Sequence, residues 1–129
     1  GPYGLYRMDN GVRMQPGLSR LGFALNSAQA TYKADGVTEL LNVSGGILNI
    51  DFEANTFATS LNMRSDALGA VDFHANGRVD DSSGRFLMVN PDQGMAGLVS
   101  FDGQEAGYYF YKTLESGVLD GLTLWGRQP

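Results

Sequence analysis

Along most of this chain apolar and polar residues alternate with a period of two rather than the 3.6 of a helix, the mark of half-buried strands. The last third carries the pattern most clearly. Met95 to Phe101, Ala106 to Thr113 and Val118 to Arg127 are separated by Asp102-Gly103-Gln104-Glu105 and by Leu114-Glu115-Ser116-Gly117, a spacing that predicts a three-stranded antiparallel meander. Upstream, Ile47 to Glu53 sets Leu48, Ile50 and Phe52 against Asn49, Asp51 and Glu53. The chain turns at Glu53-Ala54-Asn55 and returns through Thr56 to Met63 with Phe57, Leu61 and Met63 inward, a hairpin. Ala70 to Val79 sets Val71, Phe73 and Ala75 against Asp72, His74 and Asn76, with Gly77 expected at a bulge or bend. Asp80 to Gly84 and Pro91 to Gly94 read as turns on either side of a short strand, Arg85 to Asn90.

Two stretches are less regular. In Leu21 to Tyr32 the apolar positions run Leu21, Phe23, Leu25 and then Ala28, Ala30, Tyr32. This is a long strand that slips face near Asn26-Ser27, with an alanine-rich helix as the other reading. Asp35-Gly36 then makes a turn. Val37 to Val43 fits either a helical turn at Thr38 to Leu41 or an edge strand, and Gly45-Gly46 is expected to close it. Tyr3 to Ser19 has no clean period, yet Tyr3, Leu5, Tyr6, Met8, Val12, Met14 and Leu18 are too apolar for a disordered tail. Residues 3–20 are therefore expected to form an arm that packs on a barrel made by residues 21–129.

About eight strands at spacings of 8 to 12 residues, with no convincing long helix, favour a sandwich or an up-and-down barrel. Hairpin-length connections leave little room for Greek-key crossings. The expected fold is all-β, an antiparallel up-and-down barrel of about eight strands with an N-terminal arm. Such a barrel is wide enough only to fill with side chains or hold one small ligand.

Composition narrows the function. A chain of 129 residues is one domain that can bury roughly two-thirds of its unfolded surface without staples. The absence of cysteine removes disulfides, thiolate zinc sites and cysteine nucleophiles. A net charge of −5 with scattered acids opposes binding to phosphate backbones, so nucleic acid is not expected as a partner. No apolar run reaches the roughly 18 to 20 residues of a membrane-spanning helix, and no signal segment opens the chain. Gly1-Pro2 matches the scar left when a purification tag is cleaved off.

The run AGLVSFDGQEAGYYFYKTLESGVLDGLTLWGR resembles the end of the small β-barrel domain appended to FecR-domain proteins of proteobacteria, which is related in pattern to the barrels of transferrin-binding protein B. The family's "AGAVSLDG", "AGYxF" and "GLTLWG" patterns fall on Ala96 to Gly103, Ala106 to Phe110 and Gly121 to Gly126. Phe23 to Thr31 and Val43 to Met63 are similar as well, so the resemblance runs from about Leu21 onward. It implies an exported bacterial envelope protein, in the periplasm or on the outer-membrane surface, whose barrel has no catalytic motif. Neither transferrin binding nor sigma-factor signalling carries over, because this chain lacks a counterpart of the segments responsible.

No catalytic constellation emerges from the residues. His74 with Asp72 offers two metal ligands where a site needs three or four, and a solvated strand face explains them. Asp80, Asp81 and Ser82 with Asn90 and Asp92 would offer oxygens to calcium only if two turns met, without EF-hand spacing. Asp51, Glu53 and Asp72 would suit a glycosidase pair only if they faced a pocket. No G-x-S-x-G elbow, phosphate loop or dinucleotide fingerprint is present, and no cofactor is expected.

The aromatic residues of the meander carry more. With Leu98, Tyr108, Phe110, Leu122 and Leu124 lining the interior, Val99, Phe101, Tyr109, Tyr111 and Trp125 point outward on three adjacent strands. An apolar patch of that kind is seldom left bare. The arm Tyr3 to Leu18 or a helical segment covers it, or it docks a protein partner or an upstream domain of the same polypeptide, since Tyr and Trp are favoured anchors, or it stacks on a carbohydrate. Hence the expected function is a non-catalytic interaction module, with a carrier of a small apolar ligand held inside the barrel as the alternative. Phe23, Phe52, Phe57, Phe73, Phe86 and Phe110 are expected to fill the bore in the first case and leave a void in the second.

Overall fold

The computed structural model describes residues 19–129. Gly1-Pro2 and the expected arm up to Leu18 lie outside these residues. Eight strands follow in order: β1 (Arg20–Ala34), β2 (Val37–Asp51), β3 (Thr56–Ser65), β4 (Gly69–Val79), β5 (Arg85–Val89), β6 (Gln93–Val99), β7 (Glu105–Thr113) and β8 (Val118–Arg127). Each pairs antiparallel with the next, and β8 pairs with β1, so the sheet closes as an up-and-down barrel. Short connections dictate this order. Asp35 and Gly36, with φ of 52° and 77°, form a two-residue turn whose twist matches that of the flanking strands.

Β1 is a single strand, not a helix, and its register shifts between Leu25 and Ser27 opposite β8. The extra residue moves the inward set from Leu21 and Phe23 to Ala30 and Tyr32, as the switch in apolar positions anticipates. Β2 corrects the expectation of a turn at Gly45-Gly46. The strand continues through both glycines, with a shift between Val43 and Gly45 opposite β3. Gly46 then sits where a Cβ would lie 2.9 Å from Trp125 Cη2 and 2.8 Å from Ser60 O. Glycine is needed here for close approach, not for chain reversal. Gly77 is likewise not a bulge, because it stays in register opposite Phe57, whose ring lies 3.0 Å from the position of a Cβ.

The bore is filled by Phe23, Phe73, Phe86, Phe110 and Trp125, all almost wholly buried, with Tyr108 and Phe57 beside them. Phe52, expected among them, is only half-buried in the β2–β3 turn. Phe73 and Phe110 meet at 4.9 Å between ring centroids, and Trp125 stacks on Tyr108 at 5.8 Å. The polar groups around Trp125 and Tyr108 are paired. Trp125 Nε1 donates to Thr123 Oγ1 at 2.7 Å, and Thr123 Oγ1 donates to the Tyr108 carbonyl at 3.1 Å. Thr59 Oγ1 spends its proton on the Ile47 carbonyl at 2.8 Å, so the Tyr108 hydroxyl donates to Thr59 at 2.7 Å. Burial pushes the Tyr108 hydroxyl far above the ordinary tyrosine range, which keeps it neutral.

Carboxylates close several turns. Asp80 accepts from the Ser82 amide and hydroxyl at 3.0 and 2.9 Å, and Asp102 from the Gln104 amide and Ser100 hydroxyl at 3.0 and 2.8 Å. These bonds hold both acids below their ordinary value of 3.8. A depressed folded pKa adds stability that is complete above the unfolded value and is lost as pH falls through the folded one. Denaturation midpoints should therefore hold steady above about pH 5 and fall below about pH 4. The Asp80→Asn, Asp102→Asn double variant should show a shallower acid decline; an unchanged slope would assign the effect to other groups.

Candidate functional site

Register decides which side chains face outward. Across the β7–β8 hairpin Tyr109 lies opposite Leu122 and Tyr108 opposite Thr123. Directly opposed residues share a face of the sheet. Because Tyr108 is buried, Thr123 points inward with it, and Tyr109 and Leu122 point outward together. The next two ladders extend the row, with Tyr109 opposite Ala96 and Ala96 opposite Leu87. A second row brings Leu98, Gly107 and Leu124 side by side.

The result is an apolar stripe over the outside of β5 to β8. Leu122 is 59% exposed, Leu87 50%, Leu124 46% and Tyr109 44%. Its flank is polar: Asp120 lies opposite Tyr111 on β7 and accepts from Thr31 Oγ1 at 2.9 Å. Partial burial and the Asp120 carboxylate raise the Tyr109 hydroxyl above its ordinary value. An apolar centre edged by polar groups is the anatomy of a protein interface.

Of the five residues expected to point outward, the structure places Tyr109 and Phe101 at the surface, with Phe101 in the β6–β7 turn. Tyr111 is half-buried, its ring lying over Gly94, where a Cβ would stand 2.6 Å from Tyr111 Cε1. Val99 and Trp125 are corrections, because both are buried. Leu122 and Leu124, expected inside, are outside, and Leu98 is only partly buried. Placing Tyr108 and Leu122 both inward requires a pairing one residue out of register, and such a slip turns every side chain to the other face. The signal was present in the turn: Thr113 and Val118 flank the four residues Leu114 to Gly117 and pair with each other. Counting back from that pair sets Tyr109 opposite Leu122. That count puts Leu122 and Leu124 on the same face as Tyr109; which face is inside, and the place of Leu87 on β5, come from the fold.

The other candidates stay apart. His74 Nε2 lies 4.0 Å from Asp72 Oδ2, both well exposed, and among the described residues no group of three or more His, Cys, Asp or Glu is placed to hold a metal. Asp80 is engaged within its own turn, and Asn90 Oδ1 accepts from the Asp92 and Gln93 amides, each at 3.0 Å. Asp51 Oδ1 accepts from the Glu53 and Ala54 amides at 2.8 and 3.0 Å, and Arg20 bridges Asp51 and Glu53 at 3.5 and 3.4 Å. An open hollow of about 360 Å³ lies beside them over β1 to β3, where Gly22, Asn49 and Ala58 face outward in one row. Among the described residues no helix is long and apolar enough to cross a membrane.

No family model matches this chain, and no curated protein matches it. Two solved structures are similar in fold. One is a lipocalin whose expression is activated in cells transformed by the myc oncogene, 12% identical, with a TM-score of 0.47 over 86% of this chain and 69% of that one. The other is the siderocalin Ex-FABP, described as functioning through dual ligand specificities, 12% identical, with a TM-score of 0.44 over 85% of this chain and 72% of that one.

Proposed function

We propose that this barrel is a non-catalytic interaction module that docks a protein partner through the outer face of β5 to β8. The observation that carries the reading is the unbroken outward row Leu87, Ala96, Tyr109 and Leu122, on a barrel whose bore is already occupied. Tyr109 is the anchor: a large, stiff side chain at the centre of the row, with a hydroxyl for a polar contact. Resemblance to the barrels of FecR-domain proteins supports placing the module in an exported envelope protein. A carrier of small apolar ligands, the other use of a barrel this size, would need Trp125, Tyr108 or Phe110 to swing aside and open the bore.

The test sets wild-type protein beside the Tyr109→Ala, Leu122→Ala double variant, with immobilised barrel, native envelope extract and titration of the purified captured protein. The unfolding free energies of the two forms should lie within about 1 kcal/mol of each other, since the truncated side chains are surface groups. The double variant should bind the captured protein at least roughly tenfold more weakly. Equal affinity would remove the docking face. An apolar fluorescent probe that binds one to one and changes Trp125 emission would instead make the barrel a carrier.

A further inference from the structure

Seven of the eight seams of the barrel are closed by ladders of five or more residue pairs, and the β4–β5 seam by only two. Β4 pairs with β3 from Thr56 opposite Arg78 to Ser65 opposite Gly69. With β5 it shares only Arg78 opposite Leu87 and Val79 opposite Phe86. Beyond these, from Gly69 to Gly77, β4 has no strand on that side among the described residues. Two side chains reach across from the far bank instead. Gln93 Nε2 donates to the His74 carbonyl at 2.6 Å, and Lys112 Nζ to the Asp72 carbonyl at 2.7 Å.

We propose that the edge of β4 from Ala70 to Asn76 is a strand-addition site for an extended segment of a partner polypeptide. This inference rests on the reading of the barrel as an interaction module but uses a different surface from the stripe. In an antiparallel ladder the N–H and C=O of one residue point to the same side. The amides of Asp72 and His74 therefore face the slot together with the carbonyls that Lys112 and Gln93 now occupy. An incoming strand supplies a donor for each of those carbonyls and an acceptor for each of those amides.

Width favours a single strand over the edge of a second barrel. A fully extended lysine spans roughly 6 Å from Cα to ammonium, so the hydrogen bond from Lys112 Nζ to the Asp72 carbonyl limits the separation to no more than about two ladder spacings of about 4.8 Å each. One strand fits between such banks, whereas a second barrel would bring its own β3 and β5 with it. The space behind the slot sets the side chains. Phe73 and Phe110 are fully buried there, so inward positions of the added strand must be small. Outward positions lie beside exposed Val89 and suit β-branched residues.

The probe is a soluble peptide alternating Ala or Gly with Val or Thr, added at millimolar concentration and followed by amide chemical shifts and hydrogen exchange. The Asp72, His74 and Asn76 amides should shift and exchange more slowly, and a peptide N-methylated on its pairing edge should have no effect. Gln93→Leu and Lys112→Met remove the competing donors and should tighten the peptide several-fold. Tyr109→Ala, Leu122→Ala should leave it unchanged, which separates this edge from the stripe. No perturbation at millimolar peptide, perturbation confined to other strands, or weaker binding by the two cap variants would overturn the proposal. So would concentration-dependent shifts of the same amides without peptide, which would assign the edge to a second copy of the chain.

Discussion

Trp125→Ala should lower the free energy of unfolding by about 3 to 5 kcal/mol, read as a fall in the urea midpoint with an unchanged slope. The indole is 1% exposed and stacks on Tyr108 with 25° between planes. Its truncation removes buried apolar surface and leaves a cavity whose lining, including the backbone at Gly46, cannot collapse because it belongs to the ladder. The Thr123 hydroxyl also loses a donor. For a domain whose whole stability is on the order of 5 to 15 kcal/mol, this is a large share, and the variant should be close to unfolding at 37 °C. A loss below about 1 kcal/mol, the range of surface substitutions, would mean that the indole is outside the barrel.

Gly46→Val should cost about 1 to 3 kcal/mol or more through overpacking. A Cβ there meets Ser60 O at 2.8 Å, Leu61 Cδ2 at 2.9 Å and Trp125 Cη2 at 2.9 Å. The first of these is main chain and can move only if the β2–β3 ladder moves. The Leu61 and Trp125 contacts can be relieved, so Trp125→Phe should recover part of the loss when combined with Gly46→Ala, a coupling that a double-mutant cycle measures. Strict additivity would show that residue 46 and residue 125 do not touch. Gly45, one residue earlier, has only Asn62 Nδ2 at 4.0 Å from its Cβ position, and Gly45→Ala should be tolerated far better.

The hairpin of Ile47 to Met63 and the strand around Phe73 were legible because only one of their faces is apolar. Leu48, Ile50, Phe57, Leu61 and Phe73 have no competitor for the inside when their neighbours are Asn49, Ser60, Asp72 and His74. The face slip in β1 was legible for the same reason, since small and apolar residues change from odd to even positions around Asn26. Β8 offers no such contrast. One of its faces carries Leu122 and Leu124, the other Leu119, Thr123 and Trp125, and counting apolar residues chooses the wrong one. Thr123 is acceptable inside only because Trp125 and the Tyr108 carbonyl satisfy it.

The candidate site was legible as a region and not as a set of residues. Excess apolar character on the meander required an apolar outer face, and Tyr109 was placed on it from the sequence. The membership of Leu87, Leu122 and Leu124 follows from pairing across three ladders, and the slot beside β4 depends on where β5 ends.

By itself the sequence determined the class, the approximate number and order of strands, and most of the turns, because period-two patterning and residues such as Asp35-Gly36 act over a few neighbours. The tertiary structure alone decided which face of β8 is inside, why β2 runs straight through two glycines, and which seam of the barrel is paired over only two residues. Those outcomes depend on register and on contacts between residues far apart in the chain, such as Gly46 with Trp125 and Lys112 with Asp72, and local patterning carries no term for either.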